Sequence, residues 1–336
     1  MLAPLLEGTK VPSVAAVVLN GQIRAAGAVG VRKRGDNTPV TVDDKYHIGS
    51  CAKAMTATLA AILVERELLP WETRLRDVFP TMTLHPACKE ITLRQLLSHS
   101  SGLAPFTDSE AEDPYLVKIV FGTYKTPRQG RLEVVVPALL SREPCTPPGT
   151  AFNYSNMGYV VAGAVLEALT QTSFETLLQR ELFGPLELTS AGFGAPGTPG
   201  EVDEPWGHHP EPVEPGPDTD LPLVLAPAGT VHMSVMDFAK HAAFHLTEGP
   251  QLISRDTLEL LHTPVGDSFA LGWGVVETAW AGGQAWTHAG SKGMSYAVIG
   301  IVPAKRLAVV GACNLGTEEG EAACSHVFKT LIEHYS

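Results

Sequence analysis

Tyr46-His47-Ile48-Gly49-Ser50-Cys51-Ala52-Lys53-Ala54-Met55-Thr56-Ala57 reads as the end of a short strand, a glycine, and a helix that opens on a serine. The Ser50 oxygen is expected to cap free backbone N–H groups at that helix start. Lys53, three residues on, projects from the same face about one turn later. A hydroxyl and an amine therefore lie side by side at the positive end of a helix dipole. An activated nucleophile needs that combination: a weak hydroxyl, a base within reach and local positive potential. Lys53 is the only lysine in the chain with a serine three positions before it. Alone the pattern is weak, because Ser-x-x-Lys also marks ordinary helix starts.

The 336 residues suffice for one large domain or two smaller ones. Apolar residues make up 44% and charged residues 18%, the balance of a folded globular chain. A net charge of −12 argues against a nucleic-acid partner. No apolar run approaches membrane-spanning length, so no transmembrane segment is expected. Met1 to Lys10 lacks a basic stretch followed by an apolar one, so no signal peptide is read there. A cytoplasmic location follows for the chain as written, and a periplasmic or secreted one if a signal has been removed. The five cysteines (Cys51, Cys88, Cys145, Cys313, Cys324) form neither a disulfide framework nor a zinc pattern. Cys51 beside Ser50 is read as packing, since a helix turns about 100° per residue and points neighbours apart.

Outward from the opening stretch, residues 13–19 read as a buried strand. Asn20-Gly21 reads as a hairpin turn and 22–30 as the return strand. The helix from Ser50 to about Arg66 is Ala-rich and nearly uncharged, as a helix buried on most sides would be. Thr92 caps a short helix before the polar loop Ser98-His99-Ser100-Ser101-Gly102. Residues 104–130 read as an irregular flap and 132–140 as a helix. A small-residue, apolar helix follows at 157–169, and Thr172 or Ser173 caps a further helix to about Leu182. Residues 194–222, rich in Pro, Gly and acids, read as a long surface loop. Ser234 and Ser254 cap two further helices. Strands are expected at 272–277, 285–289, 295–302 and 307–313, and a closing helix at 318–335.

Strands at both ends and helices between them predict an α/β (α+β) fold. Residues 1–80 and 265–336 would form a discontinuous sheet-and-helix lobe with one antiparallel sheet. Residues 81–264 would form an inserted, mostly helical lobe, and the interlobe cleft is the expected place for a site.

Two further elements complete the chemistry. Tyr154-Ser155-Asn156 places a phenol and a carboxamide two residues apart at a turn entering a helix. Thr287-His288-Ala289-Gly290-Ser291 lies on a late strand, with glycine allowing close approach of a substrate. These elements, in this order, resemble those of the serine beta-lactamase and penicillin-binding-protein superfamily. Tyr-Ser-Asn is similar to the class C branch, with its D-Ala-D-Ala carboxypeptidases and family VIII carboxylesterases. The similarity extends over nearly the whole chain.

The resemblance implies a beta-lactamase/DD-peptidase-like fold and an acyl-enzyme on Ser50. Lys53 would hold or accept the serine proton. Tyr154 would be the general base, its phenol pKa lowered by Lys53. Asn156 would bond the substrate or Lys53, and the backbone N–H groups of Ser50 and Ser291 would form the oxyanion hole beside Gly290. No cofactor and no metal are implied. Ordinary values of about 10 for tyrosine and 10.4 for lysine leave each basic at pH 7 at most about once in a thousand. Burial of Lys53 would change this, and the two groups would titrate as a pair.

One departure matters: lysine commonly opens the third motif, and here His288 does. A carboxylate-recognising cation is then lost or made pH-dependent. Ala289 also lacks a hydroxyl. Carboxylic ester hydrolysis is therefore the expected activity, with a small-molecule ester, amide or beta-lactam as substrate. D-stereospecific peptidase or D-Ala-D-Ala carboxypeptidase, weak beta-lactamase, and a non-catalytic binding protein are the alternatives. His241 and His245, four apart on a helix, lack a companion carboxylate and are read as structural. His99 is read as a hydrogen-bonding residue. Trp206-Gly207-His208-His209 is left between the cleft rim and plain packing. The Gly-x-Ser-x-Gly elbow is absent.

Overall fold

Strand β1 (Ser13–Asn20) is apolar on both faces, and its faces enter different cores in this computed structural model, which describes residues 2–107, 113–246, 251–266 and 268–336. Val14, Ala16 and Val18 join one cluster, while Ala15, Val17 and Leu19 join the other. A period of two makes that division unavoidable for a strand covered on both sides. Asn20-Gly21 turns the chain into β2 (Ile23–Gly30). The late strands are β3 (Gly274–Thr278), β4 (Gly283–Ser291), β5 (Tyr296–Val302) and β6 (Leu307–Cys313). Together they form the expected single antiparallel sheet, in the order β2-β1-β6-β5-β4-β3.

The helices that matter for the site are α1 (Ala52–Glu65), α2 (Leu93–Leu97), α3 (Asn156–Thr170), α4 (Val235–His245), α5 (Arg255–His262) and α6 (Glu318–Tyr335). α6 covers one face of the sheet with Cys324, Val327 and Leu331. α4 lies on the opposite face against β1 and β6, although it falls within the expected helical lobe of 81–264. Every residue of α1 from Ala52 to Leu63 is buried, which explains its lack of a polar face. No helix among the described residues is long and apolar enough to cross a membrane.

The helix expected at 132–140 starts earlier. Thr126 caps Pro127–Gln129, a π turn covers Gly130–Val135, and α-helix resumes over Val136–Leu140. The π turn carries Arg131, whose fully buried guanidinium bonds both Glu167 oxygens (2.5 and 3.0 Å), Glu175 (2.9 Å) and the Leu223 carbonyl (2.7 Å). Removing one partner of a buried ion network leaves the remaining charge uncompensated. Arg131→Met is therefore expected to cost about 3–5 kcal/mol, read as a lower thermal or urea midpoint. An unchanged midpoint would show that the network contributes nothing to stability.

Within the expected flap, Asp113 caps a short helix, Pro114–Val120, and residues 108–112 lie outside the described ones. The long stretch 194–222 is irregular apart from the pairing of Gly207–His208 with Pro212–Val213 and a 3₁₀ turn, Pro217–Thr219. Its far end does not stay at the surface: the Asp220 side chain is buried.

Candidate active site

Ser50 does not cap α1. It sits in a tight 3₁₀ turn, Gly49–Cys51, that runs into the helix with no side-chain cap. Its oxygen is engaged instead with Lys53, whose Nζ lies 2.9 Å away. Cys51 is turned toward the His288 and Ala297 carbonyls and is fully buried, so its thiol is packing, as expected.

Lys53 is fully buried and has two further partners, Asn156 Oδ1 at 2.6 Å and the Ala228 carbonyl at 2.7 Å. Asn156 Nδ2 donates to the Phe106 carbonyl at 2.6 Å, which fixes the amide orientation and makes Oδ1 the atom facing the lysine. Both partners therefore only accept. A neutral amine has two N–H groups and one lone pair. With the two N–H groups committed to Asn156 and Ala228, the lone pair is left facing the Ser50 hydroxyl. Burial lowers the Lys53 pKa to about 7, so this neutral form is abundant at physiological pH.

The phenol of Tyr154 departs from expectation. Burial raises it to about 12, only partly offset by its hydrogen bond with Ser50. Lys53 Nζ lies over the tyrosine ring, 4.9 Å from its centroid. With that shift Tyr154 keeps its proton at neutral pH. The aromatic packing responsible includes His99, 4.2 Å from the Tyr154 ring, and Phe269. His99 Nδ1 accepts the Ser155 N–H at 3.0 Å, so this histidine holds the turn that presents Tyr154. Ser155 caps α3 through the Gly158 N–H and places Asn156 in its first turn.

Gly290 and Gly49 let two distant segments touch. A Cβ on Gly290 would lie 2.2 Å from the Ile48 carbonyl and 2.4 Å from the Ser50 nitrogen. One on Gly49 would lie 2.6 Å from the Ser291 nitrogen. The backbones carrying the Ser50 and Ser291 N–H groups thus meet at the mouth of one cavity, which both residues line.

His288 does not reach that cavity. It is buried, its Nδ1 pairs with the Ala289 carbonyl, and burial together with Lys53 lowers its pKa to about 4. Of the two expected outcomes, a cation lost or made pH-dependent, the lowered pKa favours the first: His288 is a neutral ring at physiological pH. Lys292 is turned away to Asp220 at 2.8 Å. The cavity, about 260 Å³, is lined by Ser50, Tyr154, Asn156 and Ser291 on one side and by Phe106, Val117, Phe121, Leu221 and Leu225 on the other. Among the described residues that line it, Tyr154 is the only titratable side chain besides the serine and threonine hydroxyls.

His241 and His245 are buried in a chain of imidazoles with His262 (3.3 and 3.0 Å), and no metal-binding cluster occurs among the described residues. Two contributors carry no signature in sequence: the Ala228 and Phe106 carbonyls, which position Lys53 and Asn156 through main-chain atoms.

The Beta-lactamase family model matches residues 1–327. The chain belongs to the beta-lactamase family. It is similar to Penicillin-binding protein 4 of Amycolatopsis lactamdurans, 29% identical over 316 residues, which cover 87% of this chain and 78% of the relative. Among solved structures it resembles EstCE1, a hydrolase with promiscuous acyltransferase activity (TM-score 0.81, 19% identity, 99% of this chain and 96% of that one). It also resembles the octameric penicillin-binding protein homologue from Pyrococcus abyssi (TM-score 0.80, 23% identity, 98% and 75%). The last two show the fold alone. Family members are hydrolases, and small molecules are their substrates.

Proposed function

We propose that the protein is a serine hydrolase that forms an acyl-enzyme on Ser50 and prefers uncharged carboxylic esters. The observation that carries this reading is Lys53 Nζ standing 2.9 Å from Ser50 Oγ, on an amine whose pKa is lowered to about 7. An unperturbed lysine is neutral at pH 7 about once in 2,500, against roughly half the time here, a gain of about three orders of magnitude.

In this mechanism Lys53 takes the Ser50 proton as Oγ attacks the ester carbonyl. The tetrahedral oxyanion is held by the Ser50 and Ser291 N–H groups. Tyr154, protonated, gives its proton to the departing alkoxide and regains one from Lys53. Water then attacks the acyl-serine by the reverse relay. Esters are favoured because no cation among the described residues faces the cavity to pair with a terminal carboxylate: His288 is buried and neutral, and Lys292 is paired. The apolar wall supports an uncharged acyl group. A second reading, acylation by a beta-lactam or D-stereospecific peptide, draws on the likeness to Penicillin-binding protein 4.

Mass spectrometry after a fluorophosphonate is expected to place the adduct on Ser50. In a panel, p-nitrophenyl butyrate is expected to exceed p-nitrophenyl succinate, nitrocefin and a D-Ala-D-Ala peptide in kcat/KM. The charged succinyl ester is expected to trail by about 10²-fold or more, since an unpaired charge in an apolar site costs several kcal/mol. Clear peptide cleavage, with ester rates no better than a Ser50→Ala control, would reverse the ranking.

A further inference from the structure

We propose that Asp220 is a positioning residue for the oxyanion hole, an inference that rests on the Ser50 reading above. The Asp220 carboxylate is 3% exposed and lies between two buried side chains. Its Oδ1 accepts from Lys292 Nζ at 2.8 Å and stands 3.5 Å from His47 Nε2. Lys292 directly follows Ser291, and His47 stands two residues before Gly49. The two partners of one carboxylate therefore belong to the two segments whose N–H groups form the oxyanion hole.

The histidine has a defined tautomer. His47 Nδ1 accepts the Gly49 N–H at 3.1 Å, so in the neutral ring the proton is on Nε2, the nitrogen facing Asp220. Burial and the neighbouring Lys292 ammonium keep that ring neutral. The Gly49 N–H thus bonds His47, whose Nε2 makes no hydrogen bond and stands 3.5 Å from Asp220 Oδ1, and that same oxygen accepts from the Lys292 ammonium beside Ser291. The next residue, Leu221, lines the acyl cavity, so the same turn also fixes one wall of the site.

Stability alone does not account for such a pair. A buried ion pair is often matched or bettered by apolar residues of similar volume. What a fixed carboxylate supplies here is register between segments more than 240 positions apart in sequence, at the place where a shift of about 1 Å is worth about 10²-fold in rate.

The test uses the full chain in two forms, Asp220→Asn and the double variant Asp220→Ala/Lys292→Met. The double variant removes both charges together and leaves no buried charge unpaired. Kinetics on p-nitrophenyl butyrate are normalised to active sites counted by fluorophosphonate labelling carried to its end point. For the double variant, kcat per active site is expected to fall by about 10²-fold, with KM within about threefold and the acid-limb midpoint set by Lys53 unmoved. Asp220→Asn, which keeps an oxygen acceptor, is expected to lose less, about tenfold. A double variant that labels fully and turns over within threefold of wild type overturns the proposal. So does a loss confined to the fraction of labelled sites, which would make Asp220 a purely structural residue. Failure of the wild-type protein to label at Ser50 would instead sink the serine mechanism itself, and is read before either variant.

Discussion

Ser50→Ala is expected to lower kcat for p-nitrophenyl butyrate by on the order of 10⁴ to 10⁶, the scale seen when a covalent nucleophile is deleted. Lys53→Met should approach the same loss, because the deprotonating group and the nucleophile act as a unit and their effects do not add. A Ser50→Ala/Lys53→Met double variant is therefore expected to be no slower than the worse single one. Lys53→Arg should not rescue, since a guanidinium stays protonated throughout the accessible pH range.

The same assignment sets the pH profile. Activity needs neutral Lys53, whose pKa is lowered to about 7 by burial. The kcat/KM of the wild-type protein should thus rise about tenfold per pH unit below pH 7 and level off above it. Tyr154, raised to about 12, and His288, lowered to about 4, contribute no further break between pH 5 and 10. A midpoint near 9 or above, or a profile unchanged in Lys53→Met, would remove Lys53 from the role of base.

Gly290→Ala is the second large effect. Its backbone is not in the left-handed region, so the objection to a side chain is purely steric. The added carbon would lie 2.2 Å from the Ile48 carbonyl and 2.4 Å from the Ser50 nitrogen, and both are main-chain atoms that cannot rotate aside. Relief requires moving β4 away from the Gly49–Cys51 turn, which parts the Ser50 and Ser291 N–H groups. Losing one oxyanion donor costs about 10²–10³ in kcat. A fall of that size is expected, with Ser50 still accessible to slow labelling. Turnover within tenfold of wild type, measured on folded protein by circular dichroism, would mean that the two segments need not touch.

Much of this was visible before any coordinates, for reasons of range. Ser50 and Lys53 are one helical turn apart, so their meeting is dictated locally. Tyr154 and Asn156 flank one cap residue, Ser155, and their proximity is equally short-ranged. The sheet was legible because alternation and the Asn20-Gly21 turn mark its strands, and the order of elements left one economical pairing. What escaped depends on distant packing. The basicity of Tyr154 is decided by the His99 and Phe269 rings around it, and spacing carries no record of that burial. The neutral state of His288 has the same origin. Asp220 lies in a Pro-rich acidic stretch whose composition is that of a solvent-facing loop, and only contact with Lys292 shows that it turns inward. The Ala228 carbonyl that accepts a hydrogen bond from Lys53 belongs to the main chain, which every residue shares.

The sheet order carries a consequence for synthesis on the ribosome. β1, made first, finds its second neighbour only in β6, among the last strands to emerge. The Gly49–Gly290 contact likewise waits for the late strands. A nascent chain therefore carries Ser50 and Lys53 through the more than 230 residues that precede Gly290 without the segment against which they pack. On the proposed mechanism, hydrolytic competence arrives together with sheet closure, and a reagent that labels Ser50 would also report whether a growing or refolding chain has closed its sheet.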